Sequence, residues 1–291
     1  MSRTLARRAF VALQFVLPKA ILSHAVGWLT RREWGPLTRL AIVAFIRAFR
    51  VDMSDAREPS AAAYRSFNAF FTRALRDGAR PLPNGLDVVV APADGRISAC
   101  GQLAGGTLLQ AKGVSYSLLD LFDGDAALAA RFAAGSFCTV YLAPYNYHRV
   151  HMPTGGRAVA LRYVPGALFS VNAATTQGLR GLFCRNERAV VVFEGARGDF
   201  ALVMVGAMNV GSIELCTPLA QPFANRPLAN WLARRTHALE ESATMERGAE
   251  FGRFNMGSTV ILLATPGLLR LDPALAPGDV LRMGQRIGCA S

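Results

Sequence analysis

Apolar residues recur at helical spacing through the first fifty positions, and the pattern breaks twice, near Pro18 and at Gly35-Pro36. Proline lacks the N–H that a helix interior needs, so the pattern predicts three helices within residues 4–50. A polar stretch, "VDMSDAREPS", follows. Beyond it, "AAAYRSFNAFFTRALRDGARPL" spaces Tyr64, Phe67, Phe70 and Phe71 along one side of a predicted fourth helix, with Pro81 past its end. From about Asp87 the period shortens. The runs "DVVVAP", "SFCTVYLA", "RAVALRYV", "RAVVVFEG", "FALVMVGA" and "STVILLA" are β-branched and aliphatic, separated by Gly, Pro and Asn. That punctuation marks strands joined by turns. One more helix is predicted at 226–241, around Trp231. Helices and strands do not alternate regularly, so the fold class expected is α+β. A helical N-terminal region over residues 1–60 precedes a mostly antiparallel, β-rich domain over residues 61–291.

Composition sharpens the reading of the first region. Of 291 residues, 52% are hydrophobic and 18% charged, with a formal net charge of +12. Lys19, Arg31, Arg32 and Arg39 interrupt the apolar stretches near the N-terminus, leaving no uncharged run of about 18 residues that would span a bilayer. Residues 1–50 carry nine basic side chains against Glu33 alone, and they include Trp28 and Trp34. Cations interleaved with bulky aliphatics suit a helix lying in the membrane interface, where each basic residue contributes about 1 kcal/mol near anionic headgroups. Nucleic acid fits this distribution less well, and an ordinary core helix with a basic outer face is the plainer alternative. The expected location is the cytoplasmic face of the cell membrane, as a peripheral protein. Lys19 and the lack of a small-x-small site argue against a cleaved secretory leader. Five widely spaced cysteines without a Cys-x-x-Cys pair argue for a reducing compartment and against a zinc knuckle.

The candidate chemistry gathers in three places. "YLAPYNYHRVHMPTGG" holds two of the four histidines, His148 and His151, among Tyr145, Asn146, Tyr147 and Arg149. Two histidines three apart fall short of the three or four ligands zinc takes, so no metal is expected. "APADGRIS" holds Asp94-Gly95, which read alone is a hairpin turn. "FNMGSTVIL" places Ser258 after Gly257 at the start of a strand, ordinary turn chemistry by itself. Together they provide an acid, an imidazole and a hydroxyl, the parts that activate a weak oxygen nucleophile. One reading is a membrane-associated serine hydrolase using Ser258, His151 and Asp94, although the Gly-x-Ser-x-Gly elbow is absent.

An ordered set of segments is more specific than any one of them. "FNAFFTRALRDGARPL", "APADGRIS", "LLQAKGVSYSL", "YLAPYNYHRVHMP", "YVPGALFSVN", "RNERAVVVFE", "VGAMNVGSIE" and "FGRFNMGSTVILL" resemble the bacterial pyruvoyl-dependent phosphatidylserine decarboxylases along nearly the whole chain. In that family a Leu-Gly-Ser-Thr quartet is where the precursor cuts itself; here Met256 replaces the leucine. The resemblance implies that the Ser258 hydroxyl attacks the Gly257 carbonyl, converting the amide to an ester. Elimination then leaves a dehydroalanine, and its hydrolysis gives ammonia and a pyruvoyl cap. Fragments 1–257 and 258–291 would stay together. The pyruvoyl group, derived from Ser258, would be the cofactor, joining the substrate amine as a Schiff base and acting as an electron sink. By the same resemblance His151 is the base that activates Ser258, Asp94 orients it, and His148 serves decarboxylation. Phosphatidylserine and anionic membrane lipids are the implied partners, phosphatidylethanolamine the product, and a homodimer the implied assembly. Tyr145, Arg149 and Lys112 are possible headgroup contacts.

Overall fold

The computed structural model describes residues 3–111, 114–208, 213–216, 219, 242–256 and 258–290. Lys112, Gly257 and the helix expected at 226–241 lie outside the described residues. The three N-terminal helices form where the breaks place them: α1 (Arg3–Val16), α2 (Lys19–Thr30) and α3 (Pro36–Phe49), the last with proline in its first turn, where no N–H is missed. No single helix among the described residues is long and apolar enough to cross a membrane; α1 and α2 reach that hydropathy only as a pair bent by 83°. Large apolar side chains stay exposed along all three, among them Val16, Trp28, Leu37 and Leu40.

One face of α1 is nevertheless anchored. Gln14 is buried, donates to Thr175 Oγ1 at 3.2 Å and accepts from the Ser170 N–H at 2.8 Å. The Lys19 ammonium sits 4.4 Å from the Phe169 ring centroid. The continuous fourth helix does not form. Its region holds one 3₁₀ turn (Ala61–Ala63) and a five-residue helix, α4 (Phe67–Phe71), started by Ser66, whose Oγ accepts from the Ala69 N–H. The aromatic spacing serves another purpose: Phe67, Phe70 and Phe71 surround Phe45 of α3 edge-on, at centroid distances of 5.2–6.2 Å.

From Val88 onward the chain is mostly strand. The strands are β1 (Val88–Val90), β2 (Gly95–Gln102), β3 (Thr107–Ala111), β4 (Val114–Ser117), β5 (Ser136–Leu142), β6 (Arg149–His151), β7 (Gly156–Val164) and β8 (Arg188–Gly195). They continue with β9 (Gly198–Val205), β10 (Ile213–Leu215), β11 (Ala243–Met245), β12 (Glu250–Phe254), β13 (Ser258–Ala264), β14 (Arg270–Leu271), β15 (Val280–Leu281) and β16 (Arg286–Cys289). Short helices α5 (Leu118–Leu121), α6 (Ala126–Phe132), α7 (Ala173–Gly178) and α8 (Leu182–Arg185) lie between them.

The core is an eight-stranded antiparallel sheet in the order β11-β7-β8-β9-β13-β5-β2-β15. β13, near the C-terminus, is central. It pairs with β5 from Ser258↔Leu142 to Ala264↔Ser136 and with β9 from Thr259↔Val205 to Ala264↔Phe200. All seven of its residues are buried, which is why its sequence is continuously apolar rather than alternating. Asp94-Gly95 does not turn a hairpin, because β1 pairs with β16 and β2 with β5 and β15. Glycine is needed at 95 for close approach: a Cβ there would lie 2.5 Å from the Tyr141 carbonyl oxygen.

Candidate active site

Two stretches of chain run antiparallel past each other twice, and the site lies between the crossings. β5 ends at Leu142, opposite Ser258; its continuation re-forms as β6, which pairs with β12 at Arg149↔Arg253 and His151↔Glu250. Between the crossings, residues 143–148 face Asn255 and Met256. The Phe254 N–H donates to the His148 carbonyl at 3.0 Å. Asn146 closes the 143–146 turn, its Oδ1 accepting from the Ala143 N–H at 2.8 Å. Opposite, Asn255 accepts from the Asn68 amide at 2.9 Å and donates to Glu214 at 3.1 Å, pinning the chain just before Met256. Met256 itself has φ +109°, a conformation a residue with a Cβ rarely adopts.

Ser258 is 0% exposed and its Oγ has no hydrogen-bond partner among the described residues. An unpaired buried hydroxyl costs about 1–3 kcal/mol and calls for an explanation. It borders a cavity of about 280 Å³ lined by Phe45 and Phe49 of α3, Phe71 of α4, Leu142, Met256 and the Ser170–Asn172 segment. A larger depression of about 890 Å³ beside Leu82, Arg157 and Arg247 touches none of the candidate residues.

His148, also 0% exposed, lies against this wall, its ring centroid 4.0 Å from that of Phe71. Its Nδ1 is 2.8 Å from the Asn146 carbonyl, an acceptor only, so Nδ1 carries the proton and donates. That leaves Nε2 with a bare lone pair, and Nε2 has no partner among the described residues. Burial, then the nearby Arg73 charge, pushes the imidazole down to about 3, so it is neutral. His151 is occupied at both nitrogens. Nδ1–H donates to the Gly248 carbonyl at 2.8 Å, and Nε2 accepts from the Tyr147 hydroxyl at 2.8 Å. Burial lowers its pKa as well, and raises that of Tyr147.

Asp94 is held from two sides. Arg80 grips it with Nε at 3.1 Å and Nη2 at 2.5 Å, and the Met283 N–H donates at 2.7 Å. Arg80 also reaches Asp55 at 2.6 Å. Asp94 lies close enough to His151 to act on it electrostatically, and no hydrogen bond links Asp94, His151 and Ser258 among the described residues. Arg149 pairs with Glu250 at 2.7 Å, while Tyr145 stays exposed at the edge of a second cavity. Arg80 and Arg73 escaped the sequence reading, since each looked like an ordinary polar residue on a helix; Tyr147 was visible only as part of a dense polar cluster.

Comparison with known proteins bears directly on this arrangement. The family profile described as phosphatidylserine decarboxylase matches residues 67–289, and one described as PSD matches residues 9–50. A phosphatidylserine decarboxylase proenzyme of Anaeromyxobacter sp. (strain K) is 47% identical over 285 residues, covering 98% of this chain and 99% of its own. Proteins of the same name from Shewanella frigidimarina (strain NCIMB 400) and Variovorax paradoxus (strain S110) are 44% and 45% identical, each covering at least 94% of this chain and 96% of its own. With a profile match over most of its length and near-half identity from end to end, the chain belongs to the phosphatidylserine decarboxylase family.

Proposed function

We propose that this chain is a self-processing phosphatidylserine decarboxylase, a carboxy-lyase that releases carbon dioxide and phosphatidylethanolamine after cutting itself between Gly257 and Ser258. The observation that carries the reading is Ser258 Oγ: a buried, unpaired hydroxyl at the first residue of the central strand, beside a strained Met256. A hydroxyl kept free of hydrogen bonds is available to attack the neighbouring carbonyl, and strain at Met256 raises the energy of the uncut chain. The small apolar cavity bordering Ser258 fits a pyruvoyl group made from that residue. Its ketone would supply the electron sink that loss of carbon dioxide demands and that no side chain provides.

The protein's own groups divide the remaining work. Neutral His148, with Nε2 bare, can take or return a proton during decarboxylation. Asp94 and His151 serve maturation; for His151 to act as base, the Tyr147 hydroxyl must turn away from its Nε2. Phe45 and Phe49 wall the cavity from α3, a helix that also exposes Leu37 and Leu40. A bilayer meeting that surface would bring lipid to the cavity, so peripheral attachment at the cytoplasmic face belongs to the same reading, as does a homodimer by resemblance.

Intact mass and denaturing electrophoresis test the core claim. Two fragments are expected, the smaller beginning at position 258, lighter than its sequence by one ammonia and blocked to N-terminal sequencing. Ser258→Ala should remain one inactive chain. A folded, active wild type that is one unbroken chain would overturn the proposal.

A further inference from the structure

Arg73 is a buried cation without a counterion among the described residues. It is 4% exposed and forms no ion pair; its Nη2 donates to the carbonyls of Tyr145 at 3.2 Å and Asn146 at 3.4 Å, with Phe70 beneath it at 5.5 Å. Placing a guanidinium in such a site is costly unless its charge has a use. Of the carboxylates that act on it, Asp94 is committed to Arg80, and Asp52 accepts from the Ser54 N–H without pairing with Arg73. The Asn146 carbonyl that Arg73 touches is the same oxygen that receives the Nδ1–H of His148. One backbone oxygen thus joins an uncompensated charge to the one ring of the site that has a bare nitrogen.

We propose that Arg73 is a positioning residue for His148: it fixes the Asn146 carbonyl that selects the Nδ1–H tautomer, and its unpaired charge opposes a second cation beside it. The inference takes His148 as functional, as the proposed reading does. The titratable and charged groups on the elements packed around the pair are Tyr64 and Asp52 on the α4 side, Tyr147, Arg149 and His151 on β6 and its approach, Asp94, and Glu250 on β12. Arg149 and Glu250 neutralise each other, Asp94 is paired with Arg80, and both histidines are neutral; Asp52 acts on Arg73, while the one charge that acts on His148 itself is that of Arg73.

Nitrogen-15 histidine labelling of the mature enzyme in detergent micelles tests this, with His148→Gln identifying the signal. In wild type, His148 should keep Nε2 unprotonated in the Nδ1–H tautomer down to pH 5. Arg73→Gln should raise its protonation constant at least about tenfold, one pH unit, and carry the acid limb of kcat with it. Arg73→Lys, which keeps the charge, should leave His148 neutral. An unchanged titration in Arg73→Gln, or a wild-type His148 titrating near the ordinary value of about 6.5, would overturn the proposal. If Arg73→Gln fails to fold, wild type and Arg73→Lys still decide, since either titrating near that value refutes it. Normal turnover by His148→Gln would remove that residue's role while leaving the titration result to stand.

Discussion

Replacing Arg80 by methionine should be among the more damaging single changes outside the apolar core. Arg80 and Asp94 side chains are 8% and 12% exposed and meet through a two-point contact, with Nε–Oδ1 at 3.1 Å and Nη2–Oδ2 at 2.5 Å. Methionine fills the stem and removes the charge, leaving Asp94 with only the Met283 N–H. Stranding one member of a buried pair costs about 3–5 kcal/mol. Asp55, the second carboxylate, keeps Arg282 at 3.7 Å and is more exposed, so its share is small and the lower end applies. About 3 kcal/mol in a chain of this size lowers Tm by roughly 5 °C. Urea and thermal unfolding should be measured in a Ser258→Ala background, so that every molecule is one uncut chain. Asp94→Asn alone should also destabilise, and the double variant Arg80→Met with Asp94→Asn should recover much of the combined loss. A loss below about 1 kcal/mol for Arg80→Met, or additive single effects, would show that the contact is not a coupled buried pair.

Other consequences are separately measurable. Met256→Gly relieves about 1–3 kcal/mol of backbone strain beside the bond to be cut, so cutting in a cell-free synthesis time course should slow several-fold; an unchanged rate would uncouple strain from maturation. Burial lowers His148 to about 3 and lowers His151, while burial pushes Glu187 up to about 7. Between roughly pH 6.5 and 4.5 the unfolded chain protonates both histidines, while the folded one keeps His148 neutral and protonates Glu187; those two offset, and the lowered pKa of His151 leaves the unfolded state binding more protons. Stability should therefore fall as pH drops, and Glu187→Gln should steepen that slope; a shallower one would refute the sign. Asn186 is buried and ties the Phe169 N–H, the Phe169 carbonyl and the Gly206 carbonyl together at 2.8–3.0 Å. Asn186→Ala should cost about 3 kcal/mol by orphaning them and raise KM by loosening the Ser170–Asn172 wall, both readable from unfolding and steady-state kinetics.

Local signals were legible wherever burial and chain breaks wrote them directly. The six β-rich runs became β1, β5, β7, β8, β9 and β13 almost to the residue, and Pro18 and Gly35-Pro36 separated α1, α2 and α3. The continuous helix over Ala61–Pro81 misled because aromatic residues three and four apart also suit a short turn packed on a neighbouring helix. Asp94-Gly95 misled in the opposite sense: a hairpin signature serves a carboxylate clamp and a close strand contact. Pairings between distant segments leave no local mark. Nothing in "STVILLA" says it will enter between β5 and β9, and nothing near Arg73 announces an imidazole seventy-five positions on. The site residues themselves were visible as types; what was not visible is which hydrogen bonds they make and, for Ser258 and His148, which they lack.

Central placement of β13 sets what maturation does to the molecule. The 34 residues released by a cut before Ser258 begin with a strand held on both edges and buried along its length. In the proposed reading such a piece would stay seated while its surroundings persist, so the break would leave the shape intact and change only connectivity. Its cost would appear later: a precursor that unravels can find its own tail again, but two separated polypeptides must meet by diffusion, and the one that would carry the ketone is short and greasy. Heating should then act on the finished enzyme as a one-way street, whereas the uncut Ser258→Ala chain retains the way back.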